Sequence, residues 1–281
     1  MEHSKQPNVK ILVACHKADP NIRQDEVYMP IQVGKALHPE LDLGFQCDNT
    51  GDNISEKNGS YCELTALYWA WKNLKDVDYI GLCHYRRYFD LNDVNIQKCA
   101  KLKQVIISSP DYLPNSLFDE LVKWTSFEDV YIFLNTLLKY ESSSENEIIK
   151  RYFMSNKLSR CNMFLMPKYL FDNYCNFLFS ILFQIEHQIL QSPYSRQRRV
   201  IGYLAESLLQ FWLNKSNIQF NTKPIKEIDN NEPNVKILIN NIRNNIAFNL
   251  SKRIVQPESI PYYPPVKTGL NNDNIILDSL K

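Results

Sequence analysis

The chain predicts an α/β fold, a mostly parallel sheet flanked by helices, with helical additions towards the C-terminal end. Three observations carry this reading. Short apolar runs such as VKILVAC (9 to 15), YIGLC (79 to 83) and VII (105 to 107) show no polar alternation, which marks strands covered on both faces. Other segments repeat apolar residues at helical spacing, as Leu64, Leu67, Tyr68 and Trp71 do. The two kinds of signal alternate over the first two thirds of the chain, the pattern of successive βα units.

The elements come in this order. VKILVAC runs straight into His16 and Lys17, and in open α/β sheets ligands bind just beyond the carboxyl ends of strands, so position makes this pair interesting. A second run, LDLGFQC, leads into DNTGDNISEKN, a polar loop full of turn residues. The helix NGSYCELTALYWAWKNL comes next, its Trp and Tyr stripe reading as core. DVDYIGLCHYRRYF supplies another strand, a polar helix-like stretch succeeds it, and VII is a strand closed by the turn region of Pro110 and Pro114. Residues 117 to 140 read as helical, ESSSENE (141 to 147) as a solvated loop, and CNMFLMP as a strand. A long amphipathic helix is expected from about Lys168 to Gln191, and GYLAESLLQFWL forms another after SPYSRQRR. From about residue 215 the composition shifts to Asn, Ile and Lys. The expected division is a main domain over residues 1–214 and a peripheral tail over 215–281, with a strand at VKILI (235 to 239).

Composition removes several function classes. With 32 Lys and Arg against 31 Asp and Glu, the formal charge is +1, which gives no general footprint for nucleic acid. Seven Cys without CxxC spacing, mostly inside apolar runs, fit reduced core residues better than a disulfide framework or a zinc site. No GxGxxG comes after the first strand and no GxxxxGK[ST] occurs, which argues against Rossmann dehydrogenases and P-loop enzymes. MEHSKQPNVK lacks the apolar core of a signal peptide and no apolar run reaches the roughly 18 residues of a membrane span, so the expected location is cytosolic.

Four polar groups fall at element ends: His16 with Lys17, the DNTGDNISEKN loop, His84 to Arg87, and Asp111 after VIISSP. If the strands are parallel neighbours, these groups converge. The rigid guanidinium forks of Arg86 and Arg87 suit phosphate oxygens, Tyr85 or Tyr88 suits stacking on a base or sugar, and a neutral His84 suits a phosphate, a sugar hydroxyl or a metal. The cluster reads as a site for a sugar diphosphate. The plainer alternative is that one Arg pairs with a structural carboxylate and the Tyr pair is core.

Glycosyl transfer also needs a carboxylate to take the acceptor proton, and Asp111, Asp129 and Glu206 are the candidates. Glu206 is expected near a helix start, after RQRR; the bland reading is an acid that stabilises that helix. Many nucleotide-sugar transferases carry Asp-x-Asp after the strand that here reads YIGLC, but this chain has His84-Tyr85-Arg86, and Asp76-x-Asp78 precedes the strand. Metal ligands and cofactor are therefore left open. Without a metal, charge on the departing diphosphate falls to Arg86, Arg87 and Lys57. His187, beside Glu186, matches no HExxH and reads as structural.

Taken in order, ISEKNGSYCELTALYWAWKN, DYIGLCHYRRYF, CNMFLMP and RQRRVIGYLAESL resemble a bacterial polysaccharide-biosynthesis family long catalogued as a domain of unknown function, over roughly residues 9 to 213. The resemblance implies a GT-A-like, Rossmannoid glycosyltransferase of capsule, exopolysaccharide or O-antigen assembly, similar to inverting galactofuranosyltransferases. It implies a UDP-sugar donor, a lipid-linked glycan acceptor, no nucleic acid, and work at the cytoplasmic face of the membrane, with peripheral contact through exposed aromatics and RQRR. By the same resemblance His16, Lys17, Asn53, Lys57, Asn58, Tyr61, His84, Tyr85, Arg86 and Arg87 match the donor side, Asp129, Asn162, Met163 and Arg199 the acceptor side, and Glu206 the last motif; among the carboxylates, Glu206 or Asp111 is the expected catalytic base. Gly202 belongs to the last motif. One departure stands out: Thr125 occupies a position where many members have His. It leaves room for a second reading, a non-catalytic glycan- or nucleotide-binding module of an assembly complex.

Overall fold

The computed structural model describes residues 6–141, 145–228, 234–254, 260–261 and 263–275. The chain forms two compact units, one of Met1–Ser109, Ser159–Asn176 and Ile218–Asn231, the other of Pro110–Leu158, Phe177–Asn217 and Glu232–Lys281.

The first unit holds the predicted α/β architecture. Its strands are β1 (Val9–Cys15), β2 (Tyr28–Gln32), β3 (Gln46–Cys47), β4 (Tyr79–His84), β5 (Arg87–Phe89) and β6 (Val105–Ser108). The second unit contributes β7 (Asp111–Tyr112) and β8 (Lys157–Leu158), after which the first resumes with β9 (Phe164–Pro167), β10 (Phe220–Lys223) and β11 (Ile225–Glu227). The central path runs β10-β6-β9-β4-β1-β2-β3. β1 pairs in parallel with β2 and β4, β2 with β3, and β10 with β6, whereas β9 is antiparallel to both β4 and β6. Six of these seven strands therefore point one way, and the ends of β1, β2, β3, β4 and β6 share one edge. β5 turns back on β4 and carries β11 beside it.

Burial explains the unpatterned strand sequences. Val9, Ile11, Val13 and Cys15 face one core cluster with Tyr28, Tyr79, Cys83, Ile106 and Leu165. Leu12 and Ala14, on the opposite face of β1, are equally enclosed, so both faces of the strand demand apolar residues. All seven Cys are thiols, four of them buried.

Two details were not foreseen. β2, which the sequence reading did not single out, contains Pro30, which lacks a donor, yet it pairs opposite Val13 with the flanking residues keeping the register. The segment read as one helix from Asn58 breaks at Cys62, whose φ of 53° ends Asn58–Tyr61 before the helix Leu64–Asn73 begins. Residues beyond 214, expected in the tail, supply β10 and β11.

The second unit is mainly helical: Leu117–Trp124, Phe127–Tyr140, Asn146–Phe153, Val200–Glu206, Leu208–Lys215, Asn234–Ile254 and Pro264–Asn272. The helix Lys168–Glu186 begins in the first unit and continues into this one, shorter than the expected span to Gln191. Ser116 and Ser126 cap two of the helices by accepting from the backbone N–H of Asp119 and Asp129. Tyr152, Phe153, Phe177 and Phe211 form an aromatic core, and the buried Glu141 is paired with Lys215. Of the loop expected at 141 to 147, residues 142 to 144 lie outside the described residues, and Asn146 already opens a helix.

The expected strand at VKILI is corrected: these residues begin the helix Asn234–Ile254. The physical reason lies further along the segment. Asn241 accepts from the backbone N–H of Tyr112 (3.1 Å), Asn244 donates to its carbonyl (2.9 Å), and Phe248 is buried, so groups three and four residues apart form a docking stripe that only a helix presents. No helix among the described residues is long and apolar enough to cross a membrane.

Candidate functional site

The first unit brings together two of the predicted groups at the shared strand edge. β1 and β4 are parallel neighbours, with Ala14 opposite His84, and the Tyr85 N–H donates to the Ala14 carbonyl (3.3 Å). His16 and Lys17, just beyond β1, are thereby set against Tyr85 and Arg86, just beyond β4. The half-buried Tyr85 ring stands nearly perpendicular to the His16 ring with centroids 5.2 Å apart, Lys17 Nζ lies 5.9 Å from the Tyr85 centroid and the Arg86 guanidinium 5.2 Å. Each contact is weak by itself, but together they build an exposed cationic and aromatic platform.

Arg86 of the platform and its neighbour Arg87 both have carboxylate partners. Arg86 Nε donates to Asp19 Oδ2 (2.8 Å), and Arg87 Nε donates to Glu227 Oε1 (2.9 Å) across the β5–β11 pair. The Asn21 backbone N–H, helped by the Arg86 guanidinium, holds the Asp19 carboxyl below its usual range. The plainer reading of the sequence was thus right about pairing, for both arginines. A planar fork held through Nε has its orientation fixed, which favours bidentate recognition. Tyr88 is core: buried, with its hydroxyl accepting from the Arg23 N–H.

His84 donates Nε2–H to the carbonyl of Cys161 (2.8 Å). A carbonyl can only accept, so Nε2 carries a proton here; in the neutral ring this leaves Nδ1 as an acceptor, suited to a sugar hydroxyl. Cys161 and Asn162 both have left-handed backbones, φ 71° and 49°, costing on the order of 1 kcal/mol or more each. This turn replaces the beginning of the expected strand, which starts only at Phe164. The buried Asn162 donates Nδ2–H to Glu63 (2.8 Å), and its Oδ1 is buried without a hydrogen-bond partner. Met163 is fully buried in the core.

The polar loop after β3 is organised by Asp48, which is fully buried. It accepts from the N–H groups of Gly34 (2.8 Å) and Lys35 (3.2 Å) and from the Ser55 hydroxyl. Gly34 has φ +69°, and a Cβ there would come within 2.7 Å of Asn58 Oδ1, so the end of β2 requires glycine. Asn58 donates Nδ2–H to the Cys62 carbonyl and the Thr65 hydroxyl (2.7 and 3.0 Å), and Asn53 accepts from the Ser55 N–H (3.2 Å). Both hold the loop. Tyr61 is fully buried and Lys57 half-buried.

The remaining candidates belong to the second unit. β6 ends at the shared edge, and the chain then enters the second unit, where Asp111 opens β7 against β8. Glu206 is the last residue of Val200–Glu206 and stands two residues before the next helix, Leu208–Lys215, opens. The helix stops there because the Ser207 hydroxyl donates to the Leu204 carbonyl (2.7 Å). The Arg199 guanidinium lies 5.4 Å from the Tyr203 ring, itself 6.2 Å from Trp124. Thr125 donates its hydroxyl to the Leu121 carbonyl (2.8 Å) and so caps its helix.

Burial pushes the Asp129 carboxyl above the usual 3.8, outweighing the stabilising bonds from Ser126. The sign is fixed: a raised carboxyl costs no stability while protonated, and the cost grows as pH climbs from 3.8 through the folded-state value. The melting temperature of Asp129→Asn minus that of the parent is therefore expected to increase over that range and level off above it. Thermal melts from pH 3 to 8 check this, and a difference independent of pH would contradict it.

Sequence reasoning missed Asp19, Asp48, Glu63 and Glu227, the acids that hold this edge. Asp48 opens the predicted loop and Asp19 lies four residues beyond β1, so position was the available signal. Among the described residues, no three His, Cys, Asp or Glu cluster to hold a metal ion. A groove of about 710 Å3 lined by Asp25, Glu26, Asp93 and Lys98 adjoins Val27, immediately before β2, and so belongs to the opposite, amino edge.

The first unit is thus an α/β sheet whose carboxyl edge carries a cluster of cationic and aromatic side chains. The chain belongs to the DUF4422 family, described as a domain of unknown function, which matches residues 10–217. No curated protein matches it. Among solved structures it is similar to the apo form of the bifunctional glycosyltransferase WbbM, with a TM-score of 0.70 and 27% identity over 79% of this chain. The match covers 46% of the WbbM chain, under half of that protein.

Proposed function

We propose that this protein is an inverting glycosyltransferase that moves a sugar, galactofuranose by the family resemblance, from a UDP-sugar to a hydroxyl of a lipid-linked cell-surface glycan. The observation that carries the reading is the platform of Tyr85, His16, Lys17 and Arg86 at the carboxyl edge of β1 and β4, in a fold similar to that of a glycosyltransferase. Open α/β sheets bind ligands at this edge, and the platform offers what a nucleoside diphosphate needs: a ring to stack on and fixed cations for the phosphates.

In the reaction the acceptor oxygen attacks the anomeric carbon from the side opposite UDP. The bond from that carbon to the diphosphate oxygen breaks, its electron pair leaves with UDP, and the hydroxyl proton passes to a carboxylate. Arg86, Arg87 and Lys57 are assigned the growing charge on the diphosphate, and His84 Nδ1 a donor-sugar hydroxyl. Asp19, Asp48, Glu63 and Glu227 are already engaged in holding the first unit. Glu206 and Asp111 are the proposed bases, with Asp129, Asn162 and Arg199 assigned to the acceptor.

The purified protein is to be incubated with a panel of UDP-sugars and a synthetic lipid-linked acceptor, with and without EDTA. Acceptor-dependent UDP release is expected with one donor, surviving EDTA. Release with no donor would sink the reading. Acceptor binding by calorimetry without turnover would favour the non-catalytic module.

A further inference from the structure

The helix Asn234–Ile254 is docked on one side through Asn241, Asn244 and Phe248. Its other side carries Val235, Leu238, Ile239, Ile242, Ile246 and Leu250, each between 52% and 62% exposed. At 3.6 residues per turn these six fall on one stripe about 22 Å long, away from the docked side. Single exposed aliphatics need no explanation, but six in a row on one helix face mark a surface that meets something.

The charges say what it meets. The helix contains Lys236, Arg243, Lys252 and Arg253 and no Asp or Glu. Lys236 and Arg243 lie about a quarter turn to one side of the stripe and Lys252 a similar angle to the other, while the exposed Asn249 falls within the stripe and Arg253 ends it on its own line. An aliphatic stripe flanked by cations is the design of a helix that lies in a membrane interface, its apolar side among the acyl chains and its cations at anionic headgroups. A second copy of the chain fits less well, since packing stripe on stripe would bring eight like charges together without a counter-charge.

We propose that Asn234–Ile254 is an in-plane membrane anchor for anionic lipid. This surface differs from RQRR, and it holds whether or not the protein transfers a sugar.

The test is co-sedimentation of the full chain with vesicles of phosphatidylcholine and phosphatidylglycerol at two to one, against phosphatidylcholine alone, with neither donor nor acceptor present. Binding to the anionic vesicles is expected, weakening as salt rises. Ile242→Asn with Ile246→Asn, and separately Arg243→Glu with Lys252→Glu, should each lower the partition coefficient about tenfold or more. All four side chains are exposed, so the melting temperature should stay near that of the parent. Parent-level binding by either double variant would overturn the proposal. So would elution of the parent as a dimer that Ile242→Asn with Ile246→Asn converts to monomer, because the stripe would then be covered by a second copy.

Discussion

Arg86→Ala is expected to lower kcat/KM for the UDP-sugar by about a hundredfold to a thousandfold, the usual effect of removing one fixed group that stabilises transition-state charge. The guanidinium is oriented by Asp19 and stands beside Tyr85, so its charge is positioned before the donor arrives. The same substitution leaves Asp19 without its ion-pair partner, but the backbone and side-chain amides of Asn21 still serve that carboxylate. The stability cost should therefore be small beside the kinetic one. Arg86→Lys separates the effects: it restores the charge without the fork, and should recover only part of the activity. Steady-state kinetics and thermal melts on the three proteins make the measurement. An Arg86→Ala enzyme within twofold of the parent would remove Arg86 from the mechanism.

Gly81→Val should be the most damaging single change to the first unit. Gly81 lies in β4 opposite Leu165 of β9, and a Cβ there would meet Leu165 Cδ2 at 2.4 Å and the Phe164 carbonyl oxygen at 2.7 Å. The side chain can yield, but the backbone oxygen is fixed in the sheet. Valine adds three carbons to a space too small for one, so the cost should be about 3 kcal/mol or more. At roughly 2–4 °C per kcal/mol, the melting temperature should fall by about 6–12 °C. Because β4 ends in His84, activity should also suffer in whatever protein remains folded. Gly269→Ala is the control: nothing lies within 4 Å of its Cβ position, and alanine suits the helix Pro264–Asn272 slightly better. A Gly81→Val melt within 2 °C of the parent would contradict the close approach of the two strands.

Where the candidate site could be read in advance, one rule made it legible. A buried parallel strand announces itself as an unbroken apolar run, and the residues just beyond it are at the ligand edge; β1 with His16 and Lys17, and β4 with His84 to Arg87, are such cases. The rule says nothing about partners. That Asp19 orients Arg86, or that the Cys161 carbonyl holds a proton on His84 Nε2, depends on contacts 67 and 77 residues apart in the chain.

Strands and helices whose reason for forming is local were legible from the residues alone. VKILVAC and YIGLC are buried on both faces, and the helix Leu64–Asn73 carries its apolar residues at helical spacing. Distant contacts decided the rest. β2 exists despite Pro30 because β1 and β3 supply its partners. VKILI, apolar and β-branched enough for a strand, became helix because asparagines beyond it dock on Tyr112. Only the pairing of β1 with β4 brought His16 and Lys17 to Tyr85. Local preference is worth a few tenths of a kcal/mol per residue, and burial and hydrogen bonding with distant neighbours outweigh it wherever the two disagree.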